Sequence, residues 1–261
     1  MALSSNLESP LVLLGLGAAR TLPLAWSIPV FGGPALPFGL RVAVGLGLAG
    51  FCYPLLATTP LPGNAAALVV LALRELLVGV VMGLVCACMF RAAEAAGEIV
   101  ELAGGSELAR TTAPTGEGGS SPFGVLFLLL ASVVFLEIGG VGHVASALAR
   151  SYEALPLDAS LAVGPRAEPA AWLVIASTAK LIEAAVALAA PVLVALLLAD
   201  AVLGVLGRAV PGIPVYSAAM PMRTLLGVGA VLLALGGIHL ALPGGFRAFF
   251  ALLESALRGG R

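Results

Sequence analysis

The sequence predicts an all-α polytopic membrane protein with about six long hydrophobic helical segments. Of its 261 residues, 60% are hydrophobic and only 10% are charged, whereas soluble domains carry roughly 25% charged residues. The mean hydropathy is +1.10. Several apolar runs also reach the ~20 residues that a helix needs to cross a bilayer. These observations assign the chain to the membrane class before any motif is considered.

Six apolar runs follow one another along the chain, each close to or above the length of a spanning helix. Clusters of Pro and Gly separate them, as is typical of connections rather than of helix interiors. Because no soluble domain is visible between the runs, residues 1–261 are predicted to form a single membrane-embedded helical domain. The runs cover residues 10–31, 36–58, 65–90, 122–149, 170–202 and 218–243.

The largest polar insertion, at about residues 91–121, lies between the third and fourth runs. It is expected to begin as a helical extension of the third run and to end in a loop rich in Gly, Thr and Ser. Glu94, Glu98 and Glu101 fall at i, i+4 and i+7, so they share one helical face. We expect a solvated face rather than a cation site, because the alternating oxygen ligands of an EF-hand are absent.

Charged residues recur inside the apolar runs, where each costs roughly 2.5–3.5 kcal/mol at the bilayer centre and must face protein or water. Lys180 and Glu183, spaced i, i+3, are predicted to form an intramembrane ion pair. The alternative is a small-solute or ion secondary transporter that uses these two charges and a helix break at Pro191. The other charges within the runs also need partners; they include Arg20, Arg41, Arg74, Glu75, Glu137 and Asp200.

Nothing in the sequence indicates an enzyme, a metal site or a cofactor site. No P-loop, G-x-S-x-G elbow or H-E-x-x-H pattern occurs, and His143 and His239 lie far apart without zinc-ligand spacing. Residues 45–50 match G-x-G-x-x-G, but inside an apolar run and without the acidic residue of a dinucleotide fold. The net charge of -1 also provides no basic field for nucleic acid. We therefore expect no catalytic residue, no cofactor and no nucleic-acid partner.

Small residues inside the runs favour close packing between helices. Gly79 and Gly83 form a G-x-x-x-G pattern, which lets helix backbones approach in a membrane. Cys52, Cys86 and Cys88 also lie in apolar runs, and an odd number of such thiols predicts small core residues rather than a disulfide framework.

Residues 74–83 (RELLVGVVMG) and 96–101 (AGEIVE) resemble the third hydrophobic region of a known family, the FliR/SctT family of type III secretion export-apparatus membrane proteins. The likeness covers about residues 40–245. Three segments resemble the injectisome SctT-like branch more than the flagellar FliR branch. They are Gly139-Gly140, Ser151-Tyr152 and the Met-Pro-Met-Arg segment at residues 220–223. The further matching stretches are 121–124 (SPFG), 139–140 (GG), 151–156 (SYEALP), 191–204 (PVLVALLLADAVLG) and 219–223 (AMPMR).

The resemblance implies a non-enzymatic core subunit of an export gate, which forms part of the channel for unfolded protein substrates. It implies multi-pass insertion in the bacterial inner membrane, with helical hairpins in a hetero-oligomer that is partly lifted out of the bilayer. The implied partners are small membrane subunits of the P/R and Q/S types, the switch and large export-gate subunits, the exported substrates and the lipid bilayer.

The resemblance further implies that the loop after the third run helps to close the pore. Glycine permits unusual backbone angles at little steric cost, while proline limits how far a loop can move, so the local composition suits a plug. The candidate pore-plug residues are Gly104, Gly105, Pro114, Gly116, Ser121 and Pro122.

Overall fold

A computed structural model describes residues 2–33, 36–56, 65–104, 121–157, 167–209 and 215–258. Within these ranges all regular secondary structure is helical, as the sequence predicts. The helices are α1 (Ala2–Ser27), α2 (Pro29–Gly32), α3 (Phe38–Leu56), α4 (Ala65–Ala103), α5 (Pro122–Glu137), α6 (Gly140–Ala154), α7 (Ala167–Ala209) and α8 (Val215–Arg258).

The number of membrane spans differs from the predicted six. Among the described residues, α3, α4, α7 and α8 are long and apolar enough to cross a membrane, and α5 with α6 adds a fifth span if the bent pair is counted as one. The first predicted run falls in α1 and α2, where Arg20 interrupts the apolar sequence. The fourth run is divided into helices of only 16 and 15 residues, shorter than the ~20 that a span needs.

Gly139 produces the division between α5 and α6. The two helices are bent by 71°, and Gly139 has a φ of 70°, in the left-handed region. Its N–H donates to the carbonyl of Leu136 at 3.1 Å, and its own carbonyl accepts from the N–H of Gly142 at 2.9 Å. A side chain at this φ would bring its Cβ close to the following carbonyl oxygen. The bend therefore depends on glycine.

The predicted helix break at Pro191 is absent. Helix α7 runs for 43 residues with Pro191 inside it. Proline removes one backbone hydrogen bond, but membrane helices tolerate this loss through local adjustments and neighbouring groups. Pro23 and Pro54 likewise lie inside α1 and α3. A proline within these long apolar helices is thus insufficient to end them.

The helices form two compact units. Unit 1 comprises Met1–Cys88, Phe135–Ala179 and Phe246–Arg261, and unit 2 comprises Met89–Val134 and Lys180–Gly245. Helices α4, α5, α7 and α8 contribute residues to both. Each unit has its own buried apolar side chains: Leu24, Ile28, Leu56, Leu148 and Leu253 in unit 1, and Phe90, Phe127, Val192, Leu196 and Leu242 in unit 2.

Close backbone packing in unit 1 occurs at the predicted glycines. A Cβ built at Gly79 would overlap the backbone carbonyl of Arg20, and one at Gly83 would lie 3.0 Å from the carbonyl oxygen of Pro23. The G-x-x-x-G prediction is therefore confirmed, with α1 as the partner of α4. On the other side of α1, the hydroxyl of Thr21 donates to the carbonyl of Gly45 in α3 at 2.8 Å.

We predict that Gly79→Ala destabilises the chain by about 1–3 kcal/mol, because the added methyl meets backbone, which yields less readily than a side chain. Gly47→Ala is the matched control, since a Cβ there meets nothing within 4 Å and alanine is the better helix former. Thermal unfolding of the purified variants in one detergent measures the difference. Equal melting temperatures for the two variants would contradict close packing at Gly79.

Candidate functional site: buried charges and the base of the polar insertion

A fully buried ion pair joins α1 to α4 in unit 1. The guanidinium of Arg20 donates from Nε to Oε2 of Glu75 at 2.6 Å and from Nη2 to Oε1 at 2.9 Å. Neither side chain is exposed at all. Two parallel bonds between a guanidinium and a carboxylate fix both the distance and the plane of the groups. The two charges thus satisfy one another inside the protein.

Helix α6 and the residue after it complete the surroundings of Arg20. Nη1 donates to the hydroxyl of Ser151 at 3.0 Å, and Nη2 donates to the carbonyl of Leu155 at 3.1 Å. The ring of Tyr152 lies against the guanidinium, with its centroid 4.0 Å from Cζ, a distance at which a cation and an aromatic face attract. Arg20 and its partners therefore join α1, α4 and α6; we call this set the Arg20 cluster.

Two stretches that carry the family resemblance meet at the Arg20 cluster. Glu75 belongs to residues 74–83, and Ser151 to residues 151–156. The neighbouring Arg74 adds a bond from Nη1 to the carbonyl of Pro156 at 3.3 Å. Sequence reasoning marked Arg20 and Glu75 as charges in need of partners but did not pair them. The only signal in the sequence was that Arg20 and Glu75 both lie in apolar runs and carry opposite charges.

A second ion pair joins two further matching stretches, in unit 2. Nη2 of Arg223 donates to Oδ2 of Asp200 at 2.6 Å. Asp200 lies in residues 191–204 and Arg223 in residues 219–223. Their side chains are 35% and 39% exposed, respectively, so the protein encloses this pair less than it encloses Arg20 and Glu75. It connects α7 to α8 at their sequence-adjacent ends.

Lys180 and Glu183 do not form an ion pair with one another within the described part of the chain. Both lie on α7, where Lys180 is half-buried and Glu183 is exposed. The ion pairs found in the apolar runs, Arg20–Glu75 and Asp200–Arg223, instead connect different helices.

The polar insertion begins as a helix, as predicted, because α4 continues to Ala103. The prediction of a solvated carboxylate face holds for Glu98, which is exposed, and is wrong for Glu101, which is 3% exposed. Glu101 accepts a hydrogen bond from the hydroxyl of Ser121, while Glu94 pairs with Arg91 at 2.7 Å. Among the described residues, no three metal-ligating side chains are grouped closely enough to hold an ion.

Within unit 2, a hydrogen bond from Ser121 links the C-terminal end of the insertion to α4. Its hydroxyl donates to Glu101 and accepts from the N–H of Gly124 at 3.0 Å, which is the bonding of a helix N-cap. A Cβ at Gly97 would overlap the backbone of Phe123, so α4 and the start of α5 touch directly. These residues together are called the loop base here.

The candidate plug residues fall in two groups. Gly104 ends the helical part, where its N–H donates to the carbonyl of Val100 at 2.9 Å. Ser121 is buried, and Pro122 is the exposed first residue of α5. The other three predicted positions lie outside the described residues; they are Gly105, Pro114 and Gly116.

The cysteines and one histidine have packing roles. Cys52, Cys86 and Cys88 are buried free thiols, as predicted. The ring of His143 stacks on Phe250 with centroids 5.2 Å apart. The burial of the three thiols confirms the prediction that they are small core residues.

The profile of the family described as "Bacterial export proteins, family 1" matches residues 11–248. The chain belongs to this family. It is therefore a multi-pass membrane component of a bacterial export apparatus and not an enzyme, as the sequence predicts. The match includes both ion pairs and the loop base, since all of their residues lie within 11–248.

Relatives come from both branches that the resemblance names. The chain is 28% identical to the flagellar biosynthetic protein FliR of Caulobacter vibrioides, over 84% of this chain and 87% of the relative. It is 27% identical to the FliR of Aquifex aeolicus, over 95% and 94%. It is 29% identical to the Yop proteins translocation protein T of Yersinia pestis, over 72% and 71%. The preference for the injectisome branch thus receives only weak support, because the flagellar relatives match at similar identity over more of the chain.

The two ion pairs should differ sharply in their effect on stability. Glu75→Gln leaves the Arg20 charge buried without its counterion, which costs about 3–5 kcal/mol. Asp200→Asn removes a partly exposed pair and should cost less than about 1 kcal/mol. Chemical unfolding followed by helical circular dichroism compares the two variants. If Asp200→Asn lowered the free energy of unfolding as much as Glu75→Gln does, the assigned difference in burial between the two pairs would be contradicted.

Proposed function

We propose that the chain is a core membrane subunit of a type III export gate and forms part of the channel through which unfolded protein substrates leave the cell. The observation that carries this proposal is the family match over residues 11–248. Names of relatives that refer to flagellar biosynthesis and to Yop translocation support it. The gate lies in the bacterial inner membrane. The subunit forms part of the channel wall and contacts other gate subunits, and it does not catalyse a reaction.

Exposed apolar stripes provide surfaces for partner subunits. On α8, Leu225, Leu232, Leu233 and Leu240 recur at i, i+7, i+8 and i+15, a spacing that places them on one helical face. All four are exposed, and Leu233 reaches 88%. Contiguous apolar surface of this kind meets lipid or another protein. In the proposed gate, subunits of the P/R and Q/S types cover part of it, while the switch and large export-gate subunits bind elsewhere.

The polar insertion is proposed to close the channel before a substrate enters. The loop base supports this role, because the bond between Ser121 and Glu101 holds the start of α5 against α4. The described residues at the two ends of the insertion therefore lie beside each other. A plug formed by residues 104–122 would thus be anchored at both ends.

The transporter alternative gains no support from the geometry of α7. That hypothesis required a helix break at Pro191, whereas α7 is continuous through this residue. It also required coupled charges at Lys180 and Glu183, which do not pair with one another among the described residues. We therefore retain the export gate as the one proposed function.

Deleting residues 106–119 should make the assembled gate leak ions, because the remaining chain is too short to fill the opening. Ser121→Ala should leak less than the deletion but more than the unaltered protein, since it frees one end of the loop and removes the N-cap of α5. Ion flux into cells or liposomes that contain the complete gate measures both effects, alongside export of a reporter substrate.

Glu98→Gln is the matched control for the loop base. This carboxylate lies on the same helix three residues before Glu101 but is exposed, so its neutralisation should leave ion flux unchanged. A deletion variant that assembles normally and still holds back ions would contradict the plug.

A further inference from the structure

Unit 1 contains an apolar cavity where α6 and α8 end and α7 begins. Its volume is ≈ 180 Å³, comparable to the ~150 Å³ of an engineered apolar cavity that binds benzene. Only Leu, Val, Met and Ala line it. Leu77 at its edge is 65% exposed, so the cavity opens at the protein surface. Its lining includes Leu77 and Val81 of α4, Leu155, Leu173 of α7, and Leu253 and Leu257 of α8.

A charged pocket of ≈ 260 Å³ adjoins this cavity. The two share Ala154 and Leu257 in their walls. The ionisable side chains of the pocket are Arg150 and Glu153 from α6 and Glu254 and Arg258 from α8. The apolar cavity and the charged pocket share a wall. Together they suit an amphiphile, in which a hydrocarbon chain and a polar head are covalently joined.

Two arginines of the pocket share one of its two carboxylates. Glu254 lies 2.7 Å from Arg150 and 3.6 Å from Arg258, so one carboxylate is shared by two guanidinium groups. The Arg side chains are 47% and 77% exposed, and each guanidinium has five N–H donors. Donors therefore remain for an additional anion. Glu153 is exposed and has no ion pair among the described residues, so it can accept a cation.

We propose that the cavity and pocket bind one phosphatidylethanolamine-type phospholipid. An acyl segment occupies the apolar cavity, and the phosphate contacts Arg150 and Arg258. Guanidinium groups bind phosphate through paired N–H donors. The ammonium of the head group donates to Glu153. This site is independent of the export role and concerns only how unit 1 meets the membrane.

The head-group chemistry distinguishes this lipid from other phospholipids. A phosphatidylglycerol head has the phosphate but no cation for Glu153, so the negative charge of the phosphate is left unbalanced beside this carboxylate. A choline head has the charge but no N–H to donate to the carboxylate. The ends of membrane helices also lie at the depth of lipid head groups, where charged side chains are tolerated. The position of Arg150 and Arg258 near the ends of α6 and α8 fits that depth.

The test uses the full chain in nanodiscs made of equal amounts of phosphatidylethanolamine and phosphatidylglycerol, released into a native mass spectrometer. The unaltered chain should retain phosphatidylethanolamine over phosphatidylglycerol by about two- to fivefold, the effect of one exposed charge pair. Glu153→Gln should abolish that preference. Arg258→Gln should lower total retention of phospholipid. Both residues are exposed, so folding is preserved in these variants.

A substitution that fills the apolar cavity provides a second, independent test. Ala154→Trp should remove the retained lipid, because the indole takes the space of the acyl segment. Ala195→Trp is the matched control, since Ala195 is exposed on α7 and far from the lining residues in sequence. Equal retention of the two lipids by the unaltered chain, or undiminished retention by Ala154→Trp, would overturn the proposal.

A photoreactive benzoylphenylalanine at Leu257 identifies the occupant in cells. Leu257 lies in the wall common to the cavity and the pocket, so the probe reaches whatever fills either one. An adduct with the mass of a phospholipid is expected. An adduct with another polypeptide would overturn the proposal and assign the cavity to a helix of a partner subunit.

Discussion

The buried pair between Arg20 and Glu75 is the interaction on which the arrangement of unit 1 depends. An arginine at the centre of a membrane helix costs roughly 2.5–3.5 kcal/mol, and burying an ion pair repays its desolvation only when the remaining donors are satisfied. Both carboxylate oxygens of Glu75 are used, and Ser151 and the carbonyl of Leu155 accept further bonds from the guanidinium. Helices α1, α4 and α6 are thereby constrained to one mutual arrangement.

Close backbone contact makes these bonds possible. Gly79 and Gly83 allow α1 to lie directly against α4, which brings Arg20 within reach of a carboxylate one turn away from Gly79. Lipid chains are as apolar as leucine, so helices in a membrane gain little from hydrophobic burial and rely on packing and polar bonds. The same combination occurs in unit 2, where Gly97 contacts the backbone at Phe123 and Glu101 bonds to Ser121.

Sequence reasoning could predict the membrane class, the positions of the apolar helices and the G-x-x-x-G contact, because each follows from composition or from spacing within one segment. It could not pair Arg20 with Glu75, because they are 55 residues apart and periodicity does not reveal which helices are neighbours. The i, i+3 spacing of Lys180 and Glu183 predicts an ion pair because helical spacing is visible in a sequence. The exposure of the two side chains is not visible there. The bend at Gly139 was hidden because a single residue of positive φ leaves the apolar run uninterrupted.

The central claim is that this chain works only as one subunit of a hetero-oligomeric export gate. The most direct test is to tag the C-terminus, extract the chain from its native membrane in mild detergent, and identify the co-purifying proteins while measuring the mass of the intact complex. The account predicts one large complex that contains small export-gate subunits of the P/R and Q/S types. A lone chain or a homo-oligomer, recovered from cells that demonstrably express those subunits, would contradict it.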